Sequence, residues 1–262
     1  MTTPSFQHVL IIGATSGIGD HLARTYHAQG KKVIATGRRA ERLAKLKEEC
    51  PGIATYQFDV TDSFALEKSV KQILKENTNI DTVVMMSGIG GIDIFPEGVD
   101  QQAITSQVNT NVIAPMILAR VLVPIFKTIE TPTNIIFITS GLGYIPLSLW
   151  PIYAATKAAV HTFALVLRQQ VAETPINIIE IIPPYIDTEF DAHAREKMLK
   201  ILPNARKPTP LDEYMEDTIK KLEERVDGKP LKEISFGFAS MGHKAWRGAF
   251  DPIFDQLGIS SA

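Results

Sequence analysis

The sequence predicts a single doubly wound α/β domain, a mostly parallel seven-stranded sheet with helices on both faces. Three observations carry this. Short apolar runs and longer amphipathic runs alternate through the 262 residues without a break, the pattern of βαβ units. The strand-like runs are apolar throughout rather than alternating, as in His8-Val9-Leu10-Ile11-Ile12, so both sheet faces must be covered. A glycine-rich turn, Gly13-Ala14-Thr15-Ser16-Gly17-Ile18-Gly19, joins the first strand to the first helix, where such sheets open a crevice for ligands. Right-handed crossovers then place helices on both sides.

Each element follows from local chemistry. Strand one covers 8–12, and the helix after the turn runs over 17–29 until Gly30 stops it. Residues 32–36 (KVIAT) form strand two and 40–49 a charged surface helix. Strand three spans 53–58. Asp62 can cap a helix reaching Glu76. Strand four is 81–86. A long helix is expected over 103–128, bent near Pro115 and Pro124. Residues 134–139 form strand five, 152–173 a second long helix and 176–182 strand six. The polar stretch 187–210 contains Pro203, Pro208 and Pro210. It reads as a flap with a short helix near 192–202, or as a plain surface connection. An amphipathic helix over 211–226 and a seventh strand at 233–237 follow. Residues 241–262 read as a tail with one helical turn at 252–257.

Composition narrows the function classes. The 27 basic and 29 acidic residues leave a net charge of −2, with no basic excess for nucleic acid or an anionic membrane. Cys50 is the sole cysteine, so no internal disulfide forms, in keeping with a reducing compartment. Residues 1–7 lack the regions of a signal peptide. No uninterrupted apolar run approaches the ~18 residues of a membrane span. These features suit a cytoplasmic enzyme. The six histidines lack metal-ligand spacing.

Two constellations carry chemistry. Gly13, Gly17 and Gly19 let backbone approach a ligand closely, and the helix beyond them aims N–H groups and a positive dipole end at phosphate. Strand two ends Thr36-Gly37-Arg38-Arg39, with Gly37 where an acid would bind a ribose hydroxyl. Two guanidiniums there suit the 2′-phosphate of NADP(H), Arg38 being favoured over Arg39. Further along, Tyr153 and Lys157 stand at i, i+4 on a helix, and Ser140 precedes the tyrosine by thirteen positions. A phenol titrates near ~10 in water. An ammonium one turn away should lower that value and fit the phenol for proton transfer.

The G-x-x-x-G-x-G turn, Asp59-Val60, Asn111, Ser140, Tyr153-x-x-x-Lys157 and Pro183-x-x-x-x-Thr188 stand in an order that resembles the short-chain dehydrogenase/reductase family over roughly residues 8–190. The resemblance implies a Rossmann fold and an oxidoreductase acting on a small carbonyl or alcohol. It implies that Tyr153 exchanges the proton, Lys157 also reaches the nicotinamide ribose, Ser140 orients the oxygen and Asn111 completes a relay through water. By the same likeness Thr15, Ser16, Ile18, Ser87 and Gly88 line the cofactor. Asp59 and Val60 meet the adenine, although Asp59 also suits a turn or a cap. Pro183, Ile186 and Thr188 flank the carboxamide. A homodimer or homotetramer is the family's usual assembly.

The sequence departs from the family at Ile12, at Met85-Met86-Ser87-Gly88 in place of Asn-Asn-Ala-Gly, at Pro184, and after strand seven. Tyr144, Trp150, Tyr185 and Phe190 are placed to line a substrate pocket, and an aromatic pocket suits an apolar ketone. The alternatives are a catalytically silent NADPH-binding regulator and a cofactor-assisted isomerase or cyclase.

Overall fold

A computed structural model describes residues 6–259. Seven strands form one sheet: β1 His8–Ile12, β2 Lys32–Gly37, β3 Ala54–Gln57, β4 Thr82–Met85, β5 Thr133–Ile138, β6 Ile176–Ile182 and β7 Glu233–Ser235. Every pairing in it is parallel, in the order β3-β2-β1-β4-β5-β6-β7. The chain order reverses between β1 and β4, and the crevice at their carboxyl ends is where such sheets hold ligands.

Successive strand residues serve two cores. Leu10, Ile12, Val83, Met85, Ile135 and Phe137 face one side. There they meet α3 (Ser63–Glu76), α5 (Ala114–Phe126) and α6 (Pro151–Gln170). Val9, Ile11, Val84, Ile136 and Ile138 face the other, against α1 (Gly17–Ala28), α2 (Ala40–Glu49) and α8 (Leu211–Glu223). Alternation between two apolar faces is why these strands read as unbroken apolar runs. Asp62 caps α3 as expected, its Oδ1 accepting from Phe64 N at 3.1 Å and Ala65 N at 2.9 Å.

Three expectations need correction. The helix expected over 103–128 is built from α4 (Gln101–Val108), a π-helical turn (Asn109–Ile113) and α5. In that turn the Ala114 N–H donates to Asn109 O, an i→i+5 bond that inserts one residue into the ladder. Helix 101–126 is also apolar enough and long enough to cross a bilayer, although half of its most apolar window is buried within the fold. The tail is largely helix: α9 runs from Gly237 to Gln256 through Pro252, and residues 260–262 lie outside the described range. The helix after the flap ends at Glu223, and 225–230 form a small antiparallel hairpin.

Candidate active site

The glycine turn is held by contacts that exclude side chains. Gly13 has φ +101°, and a Cβ built on it would lie 2.7 Å from Ser87 N. A Cβ on Gly19 would lie 2.1 Å from Gly13 O. These two glycines therefore let α1 start against the ends of β1 and β4. Ser16 is the N-cap of α1 but makes no side-chain cap bond. The first-turn N–H groups thus lack a side-chain acceptor, which leaves an anion cradle. Strand four is braced without the family's asparagines: Ser87 Oγ donates to Ile12 O at 3.2 Å and Met86 N to the same oxygen at 2.9 Å.

Three arginines rim this cradle. Arg39 donates to Thr15 Oγ1 at 2.8 Å and to Ser16 Oγ at 2.6 Å. Arg42 Nη1 donates to Thr15 O at 3.2 Å and to Glu189 Oε2 at 2.8 Å, and Arg39 stands 3.5 Å from the same carboxylate. Burial, and next the charge of Arg42, lower the Arg39 pKa from its ordinary value. Arg38 is largely exposed and pairs with Asp59 at 3.5 Å. Of the expected pair it is thus Arg39 that touches the turn. Arg42 escaped the sequence reading, although its spacing from Arg39 puts both on one helix face. Asp59 Oδ1 closes its own turn, accepting from Thr61 N at 2.9 Å and Thr61 Oγ1 at 2.8 Å, and Val60 is buried in the core.

Ser140, Tyr153, Lys157 and Asn111 meet beyond β4 and β5. Ser140 caps the short turn after β5, Oγ accepting from Leu142 N at 3.2 Å, and its hydroxyl is close enough to Tyr153 to lower the proton affinity of the phenol. Lys157 is 4% exposed and donates to Ile138 O at 2.8 Å. Its Nζ lies 5.5 Å from the Tyr153 ring centroid. Asn111 sits in the π turn and clamps the chain after β4, accepting from Ile89 N at 2.9 Å and donating to Ile89 O at 2.8 Å. A Cβ on Gly88 would lie 3.6 Å from Asn111 Oδ1 and 3.7 Å from Lys157 Nζ. Pro183 O accepts from Gly141 N at 2.9 Å. Ile186 is buried, and the Thr188 side chain lies 3.4 Å from a Cβ built on Gly17.

The proton affinities depart from expectation. Burial pushes the Tyr153 phenol up to about 12, opposed by the nearby Ser140 hydroxyl. Burial lowers Lys157 to about 8, opposed by the charge of Glu180. Removal from water is the dominant influence on the phenol, so the tyrosine is held as a neutral acid.

A buried acid behind the lysine was missed. Glu180 is fully buried on β6 and accepts from Thr139 Oγ1 at 2.6 Å and Tyr144 OH at 3.0 Å. His161 Nδ1 lies 2.9 Å from its other oxygen. The signal was present in Ile176-Asn177-Ile178-Ile179-Glu180-Ile181-Ile182, because a carboxylate within such a strand needs partners. Tyr144 therefore turns its hydroxyl inward, toward Glu180 and His161. Tyr185 is engaged by Asp191. Phe190 packs on Tyr153 with ring centroids 5.4 Å apart.

The flap is tied at its base, Asp187 N donating to Thr209 O at 2.9 Å and Thr209 N to Tyr185 O at 2.8 Å. It carries a turn at Glu189–Asp191 and α7 (Arg195–Ile201). Between the flap, the loop after β4 and α4 lies a cavity of about 360 Å³. None of the four expected aromatic residues lines it.

Comparison with known proteins agrees with this fold. The chain is 32% identical over 250 residues to the uncharacterized oxidoreductase DltE of Bacillus subtilis, covering 95% of each. It is 34% identical to the NADP-dependent 3-hydroxy acid dehydrogenase YdfG of Escherichia coli K12, over 70% of this chain and 74% of that one. Among solved structures, the closed form of serine dehydrogenase complexed with NADP+ superposes with a TM-score of 0.77 at 27% identity, over 87% and 94% of the two chains. The family model for short chain dehydrogenases spans residues 7–199, taking in the glycine turn, the serine, the tyrosine and the lysine alike. The chain thus belongs to the short-chain dehydrogenase/reductase family of oxidoreductases.

Proposed function

We propose that the protein is an NADP(H)-dependent oxidoreductase interconverting a carbonyl and a secondary alcohol. The observation that carries this is the meeting of Ser140, Tyr153 and a buried Lys157 beside an uncapped helix terminus rimmed by arginines. The donors fit the cofactor. The first turn of α1, with Thr15, Ser16 and Ile18, suits the diphosphate. Arg38, Arg39 and Arg42 suit the 2′-phosphate. Asp59 and Val60 would flank the adenine, and Ser87, Gly88, Pro183, Ile186 and Thr188 the nicotinamide half. When bound, the cofactor supplies or accepts the hydride.

The chain's own residues handle the proton. In reduction Tyr153, protonated at rest, donates from its hydroxyl to the substrate oxygen, which Ser140 holds. Lys157 then faces a phenolate, and its ammonium stabilises that charge. Asn111 holds the chain at Ile89 and the neighbouring helix at Thr156, which keeps the relay in place. The relatives' NADP dependence supports the cofactor assignment.

The test is NADPH consumption with a panel of small ketones. Tyr153→Phe should lower kcat by about 10²–10⁴ while NADPH still binds. Wild-type protein that binds NADPH and turns over no carbonyl would sink the reading.

A further inference from the structure

The cavity under the flap has an unbalanced floor. Ile89 and Gly90 form its inner wall, and a Cβ on Gly90 would lie 3.0 Å from Tyr153 Cδ2 and 3.0 Å from Phe190 Cε1, so the cavity adjoins the Tyr153 ring. Asp93 and Gln107 line it, and both are buried. Gln107 Nε2 donates to Asp93 Oδ2 at 3.0 Å. That bond fixes the amide, because the flipped amide would set oxygen against carboxylate. Gln107 Oε1 is buried out of reach of the cavity and has no partner, so the amide positions the carboxylate, and Asp93 is the acceptor that the cavity reaches. Among the described residues no cation pairs with Asp93.

The other charges at the cavity stand at its rim. Lys197 pairs with Glu97 at 3.2 Å, both largely exposed. His193, on the flap, is exposed. The rim is thus close to balanced, and the uncompensated charge is the acid on the floor. A buried carboxylate with no cation beside it calls for a ligand with a positive charge and donors to spare. A primary ammonium has three N–H donors and that charge, whereas a hydroxyl has a single donor.

Resting on the oxidoreductase reading above, we infer that Asp93, held in place by Gln107, binds a primary ammonium group of the substrate, and that the substrates are amino ketones and the corresponding amino alcohols. The carbonyl carbon lies at Tyr153 and the nitrogen in the cavity under the flap.

The experiment compares NADP+-dependent oxidation of 4-aminobutan-2-ol, 5-aminopentan-2-ol and 6-aminohexan-2-ol with that of butan-2-ol, pentan-2-ol and hexan-2-ol. At pH 8 the amines are charged. One amino alcohol should exceed its parent in kcat/KM by about tenfold or more, since a buried acceptor left unpaired penalises the parent. Asp93→Asn and Gln107→Met should each shrink that ratio, and either variant suffices if the other does not fold. Equal or better turnover of all the parents, or a ratio unmoved in a folded variant, overturns the inference while leaving the oxidoreductase reading intact. If no alcohol turns over, the oxidoreductase reading is what fails. Saturation-transfer NMR of the three amines on the NADP+-loaded protein then decides the site: binding lost in Asp93→Asn supports it, and no binding overturns it.

Discussion

Lys157 is stripped of water on every side and has one carboxylate behind it. Its charged form is held by Ile138 O and by the field of Glu180. A lysine is charged below its pKa, so an activity that needs the ammonium declines as pH rises through about 8. Glu180 raises that pKa. In Glu180→Gln the alkaline decline should therefore move to lower pH, with kcat/KM at pH 8.5 suffering more than at pH 6.5. A pH profile of kcat/KM for ketone reduction checks this, and an unshifted alkaline limb would leave Glu180 a packing residue only. The amide retains an acceptor for Thr139 and Tyr144, so the fold should survive. Tyr153 and Lys157 were legible from spacing alone. Their proton affinities were not, because burial under Phe190 and the charge of Glu180 come from residues distant in the chain.

At the scale of elements, one carboxylate joins three of them. Glu233 on β7 accepts from Arg168 of α6 at 3.1 Å, and from His243 at 2.6 Å and Arg247 Nε at 2.8 Å on α9. Burial alone would raise its pKa, but the bonds from His243 and Arg247 and the charge of Arg168 hold it well below the carboxylate range. A depressed carboxylate stabilises the fold above its unfolded pKa of about 4.3, and that stability is lost as pH falls toward the folded value. Glu233→Gln should cost about 3 kcal/mol at pH 7, read by urea unfolding. It should also flatten the loss of stability between about pH 4 and pH 2.

The same contacts explain why α9 was read as a tail. Gly242, Gly248 and Pro252 interrupt its pattern, and its order comes from Glu233 and from Trp246 packing on His161. The spacing of Trp246, Phe250 and Phe254 was the available signal, and those rings do meet. The strands were easier, because two-faced burial leaves an apolar run that no partner has to complete.

Across the whole molecule, the flap reaches over the crevice to the far side of the sheet. Glu189 takes up Arg42 and Arg39, the same cations proposed for the 2′-phosphate. The pair is exposed, so its worth is at most about 1 kcal/mol. Glu189→Gln should tighten NADPH by about two- to fivefold and leave NADH nearly unchanged, as nucleotide fluorescence titration would show. Equal gains for both nucleotides would place the effect elsewhere.

The π turn at Asn109–Ile113 couples two distant parts of this architecture. Its added residue rotates α4 by about 100° relative to α5, so Leu118 and Leu122 reach the core while Gln107 reaches the cavity. Deleting a residue of that turn ahead of Asn111 would turn α4 against α5 and carry Gln107, and with it the hold on Asp93, away from the cavity. Substrate choice would then shift through helical phase, with Ser140, Tyr153 and Lys157 left where they are.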